Sequence, residues 1–198
     1  MRKEALMSDY IIFTGAPGSR WSGVALNFYW SVDINHTDWS EERQYAHNGN
    51  LMHTGAYFDP MMEFPMTPQV WDAPFDHGST GVKLIKSHTV SEELDAYMQY
   101  PIVMVYRNDV DCWEWWNEAG GFDIKYPNYA WYGDQQNMFR QIQKQNRGIM
   151  SFIYNNRDKV KQVKTNIQLL ATLGLSSDGI EGVDNYAHKD VKVYVYKP

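Results

Sequence analysis

At 198 residues with 43% apolar side chains, the chain is long enough to bury a substantial core and is expected to form one domain over residues 1–198. Its formal net charge of −6 argues against a broad electrostatic grip on DNA or RNA, so any polyanion site must be a local cluster of Arg and Lys. The single cysteine, Cys112, excludes an intrachain disulfide and a cysteine-based zinc site; with no apolar signal-like region in MRKEALMSDY and no run of membrane-spanning length, a soluble cytoplasmic protein is expected.

Tyr10 to Thr14 is a short apolar run without alternation, the pattern of a parallel strand covered on both faces. Trp21, Val24, Ala25, Phe28, Tyr29 and Val32 then fall at helical spacing. Between strand and helix lies GAPGSRWS, formed by Gly15, Ala16, Pro17, Gly18, Ser19, Arg20, Trp21 and Ser22. The glycines let the backbone approach a ligand, and the unpaired N–H groups and positive dipole end of the following helix make the turn a candidate phosphate or sulfate cradle. Measured against the triphosphate loop GxxxxGK[ST], Arg20 stands at the second Gly, Trp21 stands at the Lys, and only Ser22 fits. Without that Lys, charge stabilisation for ordinary ATP chemistry is lost. The competing reading is a turn whose glycines serve tight packing alone.

Asp33 to Thr80 has no periodicity and reads as long loops with short elements. His36, His47, His53 and His77 accompany Asp33, Asp38, Asp59 and Asp76 there, but no pair has a recognised ligand spacing, so no metal site is expected. Gly81 to His88 is a second strand, with Lys86, Ser87 and His88 at its C-terminal end, where active residues of open α/β sheets collect. Ser91, Glu92 and Glu93 predict the acidic first turn of a short helix closed by Pro101. Pro101 to Arg107 is the most hydrophobic strand and is expected at the centre of the sheet. Arg107 emerges from its end, which points to a charged partner, and Asp109 can cap a helix through Trp116.

Trp113, Trp115, Trp116, Tyr126, Tyr129, Trp131 and Tyr132 form a dense aromatic stretch, either a stacking platform for sugars or bases or a plug between helix and sheet. Asp134 reads as an N-cap for a stripe from Met138 to Ile153 that Gly148 can break; Val160, Val163, Ile167, Leu170 and Ala171 give a further helical stripe stopped by Gly174. Val191, Val193 and Val195 alternate with polar positions and predict a C-terminal strand at the sheet edge. The alternation of strands and crossovers predicts an α/β fold: a three-layer, P-loop-type parallel sheet flanked by helices.

The three strand ends together resemble the sulfotransferases that use 3′-phosphoadenosine 5′-phosphosulfate (PAPS). The family loop PKSGTTW is similar to Gly15 to Trp21, with Gly18, Ser19 and Trp21 corresponding; its KTH motif is similar to Lys86, Ser87, His88; its RNPxD motif resembles Arg107, Asn108 and Asp111. The resemblance implies a sulfuryl transfer from PAPS to an acceptor hydroxyl on a carbohydrate or small molecule, a reaction that depends on positioning and charge stabilisation. It implies His88 as general base, Lys86 as stabiliser of charge on the transferring group, Gly15 to Ser22 as holder of the 5′-phosphosulfate and Arg107 as holder of the 3′-phosphate, without a metal.

The chain departs from the family at Ala16, where a loop Lys is expected, and at Trp115, where a 3′-phosphate Ser is expected; no counterpart of the C-terminal glycine-rich basic motif is present. Arg20 or Lys86 can supply the first charge, and Arg140, Arg147 and Arg157 are candidate replacements for the missing donors. The alternatives are a non-catalytic nucleotide- or anion-binding protein of the same fold and a divergent P-loop kinase.

Overall fold

The computed structural model describes residues 8–47, 50–59, 62–123, 133–180, 185–186 and 190–198. The elements follow as β1 (Tyr10–Gly15), α1 (Trp21–Tyr29), a hairpin of β2 (Tyr45–His47) and β3 (Asn50–His53), β4 (Lys83–Lys86), β5 (Ile102–Tyr106), α2 (Asp109–Glu118), α3 (Gln135–Asn155), β6 (Val160–Val163), α4 (Asn166–Leu173) and β7 (Lys192–Tyr196). Short 3-10 turns at Glu41–Arg43, Pro68–Val70, Thr89–Glu92, Leu94–Tyr97 and Gly121–Asp123 fill connections.

The fold is α/β, with a five-stranded sheet in the order β4-β1-β5-β7-β6. β1 pairs in parallel with β4 and β5, and β7 runs antiparallel to both β5 and β6, so the sheet is mixed with one reversed strand. Alternation along the strands divides the core between two faces. Ile11, Phe13, Val103, Val105, Val193 and Val195 meet α1 and α4 through Trp21, Val24, Leu169 and Leu173. Ile12, Ile85, Ile102, Met104 and Tyr196 meet α3 and the 3-10 turns through Ile149, Phe152, Val90 and Leu94. Each such side chain fully buried contributes about 1.5–3 kcal/mol, which is why the strands read as continuous apolar runs.

Strands β1, β4 and β5 and the central place of β5 agree with the periodicity, whereas the β2–β3 hairpin falls in the stretch that reads as loops. The C-terminal strand does not lie at an edge. β7 is enclosed between β5 and β6, because its apparently solvated positions Tyr194 and Tyr196 are covered by the second core, with Phe152 and Tyr196 in edge contact at 5.2 Å. The edge strand on that side is β6, whose Val160 and Val163 were expected on a helix: their spacing of three mimics a helical stripe, while Lys161 and Gln162 are exposed at the open margin. Residues 89–97 form 3-10 turns in place of a helix, since Ser91 Oγ donates to the His88 carbonyl at 2.6 Å and closes a tight local turn. Val32 is 63% exposed and lies beyond α1, and Asn108, not Asp109, caps α2 by accepting from Asp111 N–H at 2.9 Å. Asp134 does cap α3, and Gly174 closes α4 in the left-handed region. Gly148 leaves α3 unbroken; a Cβ there would stand 2.1 Å from the Ser91 carbonyl oxygen, so glycine allows the helix to press on the 3-10 turn.

Candidate anion-binding site

β1 delivers Gly15 to the C-terminal edge of the sheet, where it pairs with Val105 of β5, and the chain turns at once into α1. The turn is closed by Ser19 N–H donating to the Ala16 carbonyl at 3.0 Å, and the first helical bond runs from Val24 N–H to the Arg20 carbonyl at 3.1 Å. Gly18 has φ +77°, and a Cβ there would lie 1.8 Å from the Cys112 carbonyl oxygen, so the loop rests directly on the backbone of α2. Arg20 is also left-handed, at φ 64°. Gly15, Pro17, Gly18 and Ser19 are buried, and Arg20 and Ser22 are half-buried. Ala16 turns its methyl into an apolar cluster with Cys112, Trp116, Met138 and Ile142, so position 16 seats the loop on α2 and α3. Ser19 Oγ and Arg20 Nε are buried with no hydrogen-bond partner among the described residues.

Arg107 leaves the end of β5 with only 9% exposure. Its Nη1 donates to the Asp111 carbonyl at 2.9 Å, and its Nε is buried without a partner among the described residues. The Arg107 carbonyl is held by Asn146 Nδ2 at 2.8 Å, which ties the strand end to α3. The Arg20 guanidinium stacks over Trp115 of α2 at 3.9 Å from the ring centroid. Burial, followed by the positive charge of Arg107, lowers the Arg20 pKa below the usual arginine range, and Asp190 and Glu118 oppose that lowering. Among the described residues neither arginine has a carboxylate oxygen within ion-pair distance. Arg107 opens into a cleft of about 690 Å³ outside the C-terminal ends of β5 and β6. Tyr106, Asp111, Lys164, Asp190 and Lys192 share its walls, giving cations a majority over acids in a chain that is acidic overall. That is the edge where ligands of open α/β sheets bind.

The other two predicted residues leave β4. His88 is 8% exposed, with its ring 5.9 Å from Trp21 at the start of α1 and 5.5 Å from Tyr57. Its Nε2 lies 3.5 Å from Asp59 Oδ2. Burial holds the imidazole pKa below its ordinary value against the pull of Asp59 and Glu92, which favours the neutral ring. Lys86 is 1% exposed, with its ammonium at the residue that ends α1. Its ammonium donates to the Thr54 carbonyl and stands 4.7 Å over the Tyr29 ring. Tyr29 ends α1, eight residues from Trp21, or about 12 Å along the axis at 1.5 Å per residue. Burial pushes the Lys86 pKa down to about 8 against the attraction of Asp38 and Glu63. Asp38 is engaged by the Tyr29 hydroxyl at 2.5 Å and the Ala56 N–H at 2.8 Å.

The strand order β4-β1-β5 therefore sets the loop between His88 on one side and Arg107 on the other, and it sends Lys86 elsewhere. Asp59, Tyr57 and Asp38 come from the stretch that carried no periodicity, and no spacing in it signalled their approach to β4. Trp115 was legible as one of several aromatics and as a departure from the family's 3′-phosphate Ser, but not as a partner of Arg20. Of that group Trp116 is buried in the cluster beneath the loop and Trp113 packs near Phe122, while Tyr126, Tyr129, Trp131 and Tyr132 lie outside the described residues. His53 is near Lys86 and His88, whose charges join burial in holding its pKa down at about 3; His36 packs on Trp30, and His77 is exposed. Among the described residues no helix is long and apolar enough to cross a membrane. No protein-family model, curated protein sequence or solved structure matches the chain.

Proposed function

We propose that the chain is a sulfotransferase with a P-loop-type nucleotide site: it binds PAPS and passes the sulfuryl group to an acceptor hydroxyl, as on a carbohydrate. The observation that carries this reading is Arg107, a buried guanidinium with no carboxylate partner among the described residues, which opens into a cleft and leaves β5 next to the strand that ends in the glycine turn. A phosphate there would meet a guanidinium already removed from water, and the N–H groups at the start of α1 would face the 5′-phosphosulfate. In the transfer the acceptor oxygen bonds to sulfur as the bond from sulfur to the bridging phosphate oxygen breaks, and adenosine 3′,5′-bisphosphate departs. His88, neutral and beside Trp21, takes the acceptor's proton. Ser19 Oγ, buried and without a partner among the described residues, is a further donor for the phosphosulfate.

Two placements favour a second reading, a nucleotide-binding protein of the same fold that does not catalyse transfer. The Lys86 ammonium is held at Tyr29, and the methyl of Ala16 is packed in the core, so neither position supplies an ammonium to the loop. Trp21 at the place of the triphosphate-loop lysine weighs against a kinase. Calorimetry tests these readings. Adenosine 3′,5′-bisphosphate is expected to bind without added Mg²⁺ and more tightly than ATP with Mg²⁺; equal or absent binding of both refutes a PAPS site. Bound bisphosphate with no sulfate transfer to a broad panel of hydroxyl acceptors establishes the binding-only reading, and transfer that disappears in His88→Ala with bisphosphate affinity intact establishes the enzyme.

A further inference from the structure

We propose that Trp115 is a positioning residue that turns Arg20 away from a simple loop role and pairs it with Arg107, so that the two guanidinium groups grip one phosphomonoester dianion. The inference rests on the PAPS reading and assigns what stands in for the missing hydroxyl donor of the 3′-phosphate: an arginine stacked on an indole.

The geometry runs through α2. Asp111 accepts Arg107 Nη1 on its main-chain carbonyl at 2.9 Å, and Trp115 is four residues further along, on the same helix face. Gly18 lies against the Cys112 carbonyl, one turn from Trp115, so the loop is laid along the same stretch of helix. From there Arg20, in its left-handed backbone conformation, brings its guanidinium to 3.9 Å from the Trp115 ring centroid. A side chain with that many rotatable bonds has no fixed direction at a half-buried site unless something flat holds it, and the indole face does so by stacking on the guanidinium plane, which leaves the in-plane N–H donors unblocked by the ring. Arg107 is close enough for its charge to disfavour the charged state of Arg20, a repulsion that a dianion between them would reverse.

Nothing among the described residues already neutralises the pair. Asp190 and Glu118 are the carboxylates whose charge reaches Arg20, and neither makes an ion pair with it; Asp111, on the cleft wall, meets Arg107 through its main chain, and its carboxylate takes Asn108 Nδ2. Arg107 Nε and Arg20 Nε are both buried without a partner. Two neighbouring cations, each with a buried Nε that has no partner among the described residues, suit a terminal phosphate with two negative charges better than a diester with one.

Calorimetry on the full chain with adenosine 3′,5′-bisphosphate and adenosine 5′-monophosphate separates this role from mere packing. Trp115→Leu keeps much of the apolar volume and removes the π face. It is expected to weaken the bisphosphate about tenfold or more, the loss of one well-directed charge-assisted bond, with the monophosphate unchanged. Arg20→Gln is expected to do the same, the double variant to be no weaker than Arg20→Gln alone, and Trp115→Phe to restore most of the affinity. Bisphosphate affinity untouched by Trp115→Leu, an equal loss for both nucleotides, or losses that add in the double variant each overturn the proposal. Inorganic phosphate, followed by phosphorus NMR, serves as the nucleotide-free probe. If it binds the wild type and is lost in both Arg20→Gln and Trp115→Leu while neither nucleotide binds, the clamp stands and the PAPS reading falls.

Discussion

Replacing Arg107 by methionine separates a ligand-binding arginine from a structural one, because the two roles move affinity and stability in different directions. In the native chain Arg107 makes one hydrogen bond to a main-chain carbonyl and no ion pair among the described residues, at 9% exposure. Losing that bond costs about 1–3 kcal/mol, and losing a buried charge without a counter-ion returns a desolvation cost of similar size. Methionine retains the apolar stem's packing, so the net change in unfolding free energy is expected within about 1 kcal/mol of zero, or roughly 2–4 °C in melting temperature for a domain of this size. Binding has no such cancellation. A phosphate that loses a charge-assisted partner forfeits about 1.5–3 kcal/mol, a rise in dissociation constant of about 10- to 150-fold. Differential scanning fluorimetry without ligand and calorimetry with adenosine 3′,5′-bisphosphate read the two quantities. A melting temperature that collapses while bisphosphate affinity per folded molecule is unchanged would refute the reasoning and make Arg107 a strut for α2.

Gly18→Ala forces a left-handed alanine, at about 1 kcal/mol, and drives a methyl into the Cys112 main chain, which must move; a total near 2–4 kcal/mol is expected, seen as a drop of roughly 4–16 °C in melting temperature, and a shift inside the noise of the scan contradicts the observed loop seating. Lys86 carries a pH signature. Its folded pKa of about 8 lies below its ordinary value of 10.5, so the folded state releases the proton first and stability rises between those limits, by on the order of 3 kcal/mol for a shift of this size. Tyr10 and Cys112, both raised to about 12, act in the opposite sense above pH 9. The difference between wild type and Lys86→Met in urea unfolding isolates the lysine: it should climb from pH 8 to 10.5, and a flat difference means the ammonium is solvated.

The parts of the fold that were legible are those where one local pattern had one meaning. Ile11 to Phe13 and Ile102 to Val105 are apolar on both faces because both faces are covered, and no surface helix has that pattern. Asp134 and Gly174 mark their helix ends by short-range chemistry that needs no tertiary partner. The reversal of β7 and the edge position of β6 were not legible, since Tyr194 and Tyr196 read as solvent-facing until Phe152 and the second core cover them. Lys86 shows the same limit at the candidate site. Its place at a strand's end suggested chemistry, but side-chain direction was settled by Tyr29 and Thr54, distant in sequence.

By itself the sequence determined the α/β class, strands β1, β4 and β5 with β5 at the centre, the glycine turn into α1 and the emergence of His88 and Arg107 at strand ends, because those depend on contacts between near neighbours and on hydrophobic period. Only the tertiary structure decided which charges meet. It laid the loop on Cys112, stacked Arg20 on Trp115 beside Arg107, set Asp59 against His88 and withdrew Lys86 to Tyr29. Electrostatic contacts act over a few ångströms and depend on long side chains whose direction is chosen by their neighbours in space, and sequence separation carries no measure of that distance.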